Sequence, residues 1–252
     1  MKLAVLRELR PNEKRVAATP ETVKQMIKLG INVYVETDAG SGVQISDSEY
    51  VEAGAELFSS RSQLVDMDII LKVQRPLSNN EQNGPELTEL KQGSVLIGLL
   101  DPNADTKQLE QYEELGITSI SLEYLPRITR AQNMDVLSSQ SNLAGYKAVL
   151  DAAMVYQKAM PMMMTAAGTI APAKVFILGA GVAGLQAIAT AKRLGAIVSA
   201  TDVRPVVKEQ VESLGAKFVM IEDEENADAE TVGGYAKEMS SEYQARQEEL
   251  VK

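Results

Sequence analysis

The chain has 252 residues, 45% of them hydrophobic and 24% charged, which is the balance of an ordinary globular protein with length for one large domain or two small ones. Its 25 basic and 35 acidic residues give a net charge of −10, which argues against nucleic acid or an anionic membrane surface as a partner. Cysteine and histidine are both absent, so there is no disulfide framework, no thiolate nucleophile, and neither the commonest metal ligand nor the commonest general base.

In chain order, Met1–Glu8 is too short and too soon charged for a signal peptide, and Leu3 to Leu6 reads as a first strand. A charged loop, Arg10-Pro11-Asn12-Glu13-Lys14-Arg15, leads to Thr19-Pro20-Glu21, where a helix opens with Thr19 as cap and Pro20 at its first position. Gly30 ends that helix, and Val23, Met26 and Ile27 mark its buried face. Strands follow at Asn32–Glu36, Asp68–Val73, Ser94–Leu99 and Ile117–Leu122, with a helix over Thr106–Leu115 and a solvated loop over Ser78–Pro85. Strands alternating with helices imply a mainly parallel sheet.

The segment Pro126–Gln140 is unusually polar for its place between a strand and a buried helix. Arg127 and Arg130 offer bidentate donors, Gln132 can pair with an amide, and Asp135 and Ser138 supply an acceptor and a hydroxyl. Spacing alone leaves two readings open: a site for a nicotinamide carboxamide and ribose, or a polar linker between domains. Helical spacing then runs from Asn142 to Met160 as a connector, on which Tyr146, Lys147 and Asp151 read as solvent-facing or salt-bridged. Met160 and Met162–Met164 read as core filling. Pro161, Pro172, Lys174, Lys192 and Arg193 interrupt the apolar region from Met160 to Ala200, so it holds no run of about 18 apolar residues that would span a bilayer.

The most informative motif follows. Val175-Phe176-Ile177-Leu178 is an apolar strand that ends in Gly179-Ala180-Gly181-Val182-Ala183-Gly184, and Leu185–Leu194 continues with helical spacing. A second strand over Ile197–Thr201 delivers Asp202, completing a dinucleotide-binding fingerprint. Gly179 allows the tight turn, Gly181 lets the backbone approach a pyrophosphate, and Gly184 lets the helix pack on its strand. The helix N-terminus offers unpaired N–H groups to phosphate. Asp202 suits a ribose diol and repels a 2′-phosphate, which favours NAD(H), although Arg204 two residues on is a residue type that accepts a 2′-phosphate. A third strand at Lys217–Met220 and a polar helix from about Tyr235 complete the chain. The expected architecture is α/β, with two Rossmann-like parallel-sheet domains (1–137 and 138–252) joined by a long helix. The second domain reads as truncated, because three strands are half of a doubly wound sheet. No carboxylate spacing suggests a metal site.

Four stretches carry a family resemblance: Lys14-Arg15-Val16-Ala17-Ala18-Thr19-Pro20, Lys72-Val73-Gln74-Arg75-Pro76, Arg127–Gln140, and Val232-Gly233-Gly234-Tyr235-Ala236-Lys237-Glu238-Met239. Together they resemble the family of alanine dehydrogenase and proton-translocating NAD(P) transhydrogenase over essentially the whole chain. The last two favour the branch of the NAD(H)-binding domain I of the transhydrogenase alpha subunit. The resemblance implies a homodimeric component, peripheral to the cytoplasmic face of a membrane, that docks on a membrane-embedded proton channel and exchanges hydride with NADP(H) on a separate component. It implies that Arg127, Ile128, Thr129, Gln132, Asp135 and Ser138 contact the nicotinamide end of NAD(H), and that Val182, Asp202 and Arg204 serve the pyrophosphate and adenosine end. Gly234 and Tyr235 would belong to a loop that closes over nucleotide.

Hydride exchange between two nicotinamides needs no general base, which suits a chain without His or Cys. Arg127, Gln132, Asp135 and Ser138 would then orient the ring rather than react. The alternative is a self-contained alanine dehydrogenase-like oxidoreductase, in which Arg15 and Lys72 match substrate-binding positions. Where that branch carries its catalytic His, this sequence has Asp101 after Leu96-Ile97-Gly98-Leu99-Leu100, and an exposed Asp is a poor base at neutral pH. On the first reading Arg15 and Lys72 are inherited charges, solvated or paired near the cleft. A third reading is a non-catalytic module that senses NAD.

Overall fold

The structure is a computed structural model that describes residues 1–78, 80–104, 106–221, 229, 231 and 236–251. The chain divides into two compact units, Met1–Met134 and Asp135–Lys252.

The first unit is built on six parallel strands: β1 (Lys2–Val5), β2 (Asn32–Glu36), β3 (Glu56–Phe58), β4 (Ile69–Gln74), β5 (Val95–Leu99) and β6 (Thr118–Ser121). They lie in the order β3-β2-β1-β4-β5-β6, so the winding reverses between β1 and β4. Alternation along β1 shows why both faces are covered. Leu3 and Val5 join Val23, Val33, Val35 and Tyr50 on one side. Ala4 and Leu6 join Ile70, Leu96, Tyr112 and Ile117 on the other. Helix α1 (Pro20–Lys28) starts where the sequence places it, with Thr19 Oγ1 accepting the Thr22 N–H at 3.3 Å and Pro20 in the first turn.

Two elements of this unit are not legible from periodicity. Helix α2 (Asp47–Glu52) is six residues long, and β3 is a three-residue edge strand with Glu56 and Leu57 exposed. For α2 a local signal exists: Ser46 and Glu49 form a reciprocal capping box, with Ser46 N–H donating to Glu49 at 2.7 Å. The helix expected over Thr106–Leu115 is α3 (Thr106–Glu114).

The second unit opens with α4 (Val136–Val155) and a hairpin, β7 (Met163–Thr165) and β8 (Gly168–Ile170). It continues as β9 (Lys174–Leu178), α5 (Val182–Arg193), β10 (Ile197–Thr201), α6 (Lys208–Ser213), β11 (Lys217–Phe218) and α7 (Ser241–Val251). Strands β9, β10 and β11 are parallel in the order β11-β10-β9, with Thr201 opposite Leu178 at the end of the β9–β10 register. Ile188 and Ala191 of α5 pack with Val198 and Ala200 of β10 and with Val211 of α6.

Three sequence expectations are corrected here. The connector helix begins at Val136, not Asn142, because Asp135 caps it; its first turns are polar and lack apolar spacing. It ends at Val155, with Tyr156 extended, well before Met160. The last helix begins at Ser241 rather than about Tyr235, since Ser240 Oγ accepts the Tyr243 N–H at 3.2 Å and sets the start. Met162, Met163 and Met164 are exposed along the hairpin rather than in the core, and Met160 alone of the four packs against the second unit's apolar cluster. Lys147 and Asp151 form an i, i+4 ion pair on α4.

Helices α4 and α5 meet at Gly145. A Cβ there would lie 2.0 Å from the Ala183 carbonyl oxygen, so only glycine allows the two backbones to approach this closely. In an exposed helix Gly→Ala gains about 1 kcal/mol. At this position overpacking of about 1–3 kcal/mol opposes and outweighs it. Gly145→Ala is therefore expected to lower the melting temperature followed by circular dichroism. An unchanged or raised value would show that the helices can part without cost.

Candidate nucleotide site

The site of the second unit grows out of the end of β9. Gly179 has φ +88°, a left-handed conformation that favours glycine, and its N–H continues the β9–β10 ladder by donating to the Thr201 carbonyl at 2.8 Å. Gly181 is the N-cap of α5 in extended conformation, and Leu185 N–H makes the first helical bond, to the Gly181 carbonyl at 2.8 Å. The amides of the first turn therefore have no acceptor within the helix and point at the turn's mouth with the positive end of the dipole. A Cβ on Gly184 would fall 1.8 Å from the Gly179 carbonyl oxygen, so the third glycine is required by packing. A Cβ on Gly181 would meet nothing nearer than Arg204 Nη2, at 3.7 Å, so packing leaves space beside this glycine. Val182, the first helical residue, is exposed at this mouth.

Asp202 follows β10 and is almost entirely buried. Its Oδ2 accepts the Ala180 N–H at 2.7 Å and Arg204 Nη2 at 2.8 Å; its Oδ1 accepts the Arg204 backbone N–H and Nε, both at 2.9 Å. Burial pushes this carboxyl up, but the Arg204 side chain, the two backbone N–H donors and the guanidinium charge outweigh it and hold the group below its ordinary value. The sequence places Asp202 and Arg204 near one another; it gives no sign that the carboxylate also ties down the glycine turn.

The expected nicotinamide residues divide between the units. Arg127, Ile128, Thr129 and Gln132 are exposed at the end of the first, around a 3-10 turn over Thr129–Met134 in which Ala131 is buried. Asp135 and Ser138 belong to the second unit, where Asp135 is the N-cap of α4. Asp135 Oδ1 accepts the Ser138 N–H at 2.9 Å and Oδ2 accepts the Ser138 hydroxyl at 2.6 Å. The family resemblance implies a ligand role for these two residues; their contact with each other carries a signal in the sequence, an Asp just ahead of a helix. Gly234 and Tyr235 lie outside the described residues. Asp101 is exposed and has φ 42°.

Several charged side chains of the first unit are paired with one another. Arg15 Nη2 meets Glu13 at 2.6 Å. Lys72 is fully buried, 3.0 Å from Glu86 and 3.5 Å from Glu8. Arg61 bridges Glu86 at 2.7 Å and Glu36 at 2.9 Å. Burial keeps Glu8 raised despite Lys72. On Glu86 the same burial is outweighed by Lys72, Arg61 and the Leu77 N–H, which together hold it below its ordinary value. These acidic partners, Glu8, Glu13 and Glu86, carry no motif and do not stand out in the sequence.

The Arg15 side-chain hydrogen bond, set against a smaller burial effect, lowers Glu13 from 4.5 to about 2. A depressed folded-state value means stability that is present above the unfolded value and lost as pH falls from 4.5 toward 2. Urea midpoints should therefore drop between about pH 5 and about pH 2.5, and Glu13→Gln should reduce that drop. Equal drops in both proteins would contradict the pairing.

Two family descriptions match the chain: alanine dehydrogenase/PNT, N-terminal domain, over residues 4–144, and alanine dehydrogenase/PNT, C-terminal domain, over residues 148–251. The chain belongs to the alanine dehydrogenase/PNT family. It is 52% identical over 252 residues to an NAD(P) transhydrogenase subunit alpha polypeptide of Rhodospirillum rubrum, covering all of this chain and 65% of that protein. A crystal structure of transhydrogenase from Sinorhizobium meliloti superposes with a TM-score of 0.87 at 49% identity, over all of this chain and 66% of that one. Alanine dehydrogenase 2 of Staphylococcus aureus is more distant, 33% identical over 217 residues, 85% of this chain and 56% of that protein. The chain thus spans just under two thirds of the length of these two transhydrogenase relatives. No helix among the described residues is long and apolar enough to cross a membrane.

Proposed function

We propose that this chain is the NAD(H)-binding component of a proton-translocating NAD(P) transhydrogenase. The observation that carries the reading is the glycine turn of the second unit, anchored by Asp202 and opening on the free amides of α5. Gly179, Gly181, Val182 and Gly184 would hold the pyrophosphate, and Asp202 with Arg204 the adenosine ribose. Arg127, Ile128, Thr129, Gln132, Asp135 and Ser138 would hold and orient the nicotinamide. Bound NADH would supply a hydride from its ring C4 to the C4 of NADP⁺ on a partner, oxidising one ring and reducing the other with no proton released. The residues then have only to position the ring and exclude water. Proton movement would belong to a membrane-embedded partner, with this chain peripheral to it on the cytoplasmic face. A second copy of the chain is part of the proposal; the uncharged β7–β8 hairpin, exposed along its whole length, supports it.

The alanine dehydrogenase reading is weaker. A small carboxylate substrate needs uncommitted cations, and the Arg15 and Lys72 that would bind it are matched by Glu13, Glu8 and Glu86. Asp101, where that branch carries its His, is exposed. The higher identity to transhydrogenase relatives supports the same choice.

The test mixes the chain with an NADP(H)-binding transhydrogenase component and follows hydride transfer from NADH to an NADP analogue, with L-alanine plus NAD⁺ in parallel. Transfer that requires the partner is the expected result. NADH formation from alanine without a partner would replace the proposal with the dehydrogenase reading.

A further inference from the structure

Asp202 is the acid expected to take a ribose diol, yet a carboxylate offers about four acceptor positions and the structure fills all four. Ala180 N–H holds one; Arg204 holds the other three through its backbone N–H, Nε and Nη2, at 2.8–2.9 Å. The guanidinium meets the carboxylate side-on with its Nε and Nη2, the bidentate geometry in which Arg binds carboxylate or phosphate best. It is nearly as buried as its partner, with side-chain exposures of 11% and 4%. It lies over Gly181, at the mouth of the turn where a nucleotide would enter. Arginine does not lose its proton in proteins, so pairing is what neutralises it here.

We propose that Asp202 and Arg204 form a selectivity lock, in which Asp202 rejects a 2′-phosphate less through its own charge than by holding Arg204, the residue that would otherwise bind that phosphate. The inference rests on the nucleotide reading above and deepens it. NAD(H) enters by sharing acceptor positions of Asp202 with its ribose diol, and Arg204 stays paired. A 2′-phosphate would have to displace a buried carboxylate from a bidentate partner and leave that carboxylate uncompensated. With the carboxylate removed, the same guanidinium becomes a phosphate donor at the same place. Selectivity is then set by the pair, and Arg204 is its determining residue.

The experiment measures NADH and NADPH binding to the full chain by titration calorimetry for the unchanged protein, Asp202→Asn, Asp202→Ser and the double variant Asp202→Asn/Arg204→Leu. Asp202→Asn keeps an oxygen in reach of the Ala180 N–H, Asp202→Ser removes the carboxylate with a shorter side chain, and thermal melts check that each variant folds. The unchanged chain should prefer NADH. Each single variant should shift the affinity ratio toward NADPH by roughly tenfold or more, the scale of gaining a bidentate phosphate contact, and the double variant should lose that shift. An equal shift in the double variant would show that charge removal alone suffices, and no shift in either folded single variant would show that Arg204 cannot serve a phosphate; both overturn the lock. Loss of folding in both single variants would assign Asp202 to the fold and overturn it as well. An unchanged chain that binds neither nucleotide would instead overturn the nucleotide reading on which the lock rests.

Discussion

The second unit depends on one buried carboxylate. The β9–β10 ladder runs out at Leu178 and Thr201, Gly179 N–H adds one more backbone bond, and Asp202 then continues the ladder with its side chain by accepting Ala180 N–H. That contact, with the Gly179 N–H bond to Thr201 and the close approach of Gly184 to Gly179, fixes the turn from which α5 starts. A buried carboxylate is costly unless paired, and hydrogen bonds to a charged group contribute about 1.5–3 kcal/mol each. Four such bonds turn a costly burial into an anchor. The turn is therefore built before any ligand arrives, which is what a phosphate site requires if binding is not to be spent on ordering the loop.

The first unit uses buried charge for the opposite end. Its winding reverses between β1 and β4, and open α/β sheets commonly bind ligands at such a switch point. Here the cations are already satisfied by Glu8, Glu13, Glu36 and Glu86. An anionic substrate would have to displace carboxylates tethered to the same cations. Arg15 and Lys72, the cations that would bind a carboxylate substrate, are thus already paired with the chain's own carboxylates.

Much of this is legible in the sequence, for definable reasons. Strands β1, β2, β4 and β5 of the first unit are largely apolar runs, and α1 announces itself by Thr19 and Pro20. The glycine turn needs all three of its glycines for separate steric reasons: φ at Gly179, access at Gly181, contact at Gly184. What escapes a reading of the sequence is set by side-chain contacts rather than by periodicity. The start of α4 is fixed by Asp135 and that of α7 by Ser240, single caps ahead of polar turns with no apolar spacing. Met162–Met164 read as core because methionine fills irregular gaps, and no local signal marks them as exposed. Likewise, the pairing of Lys72 with Glu8 and Glu86 joins residues distant in sequence and leaves no motif.

The central claim is that the glycine turn is held ready by Asp202 and receives NAD(H). Amide hydrogen exchange at single-residue resolution, with and without NADH, tests it most directly. The account expects the Ala180 amide to be protected in the free chain to the same degree as the β9–β10 ladder. The amides of Val182 and Ala183 should exchange quickly until NADH is added and slow down on its addition. Rapid exchange at Ala180 in the free chain, or first-turn amides indifferent to NADH, would contradict it.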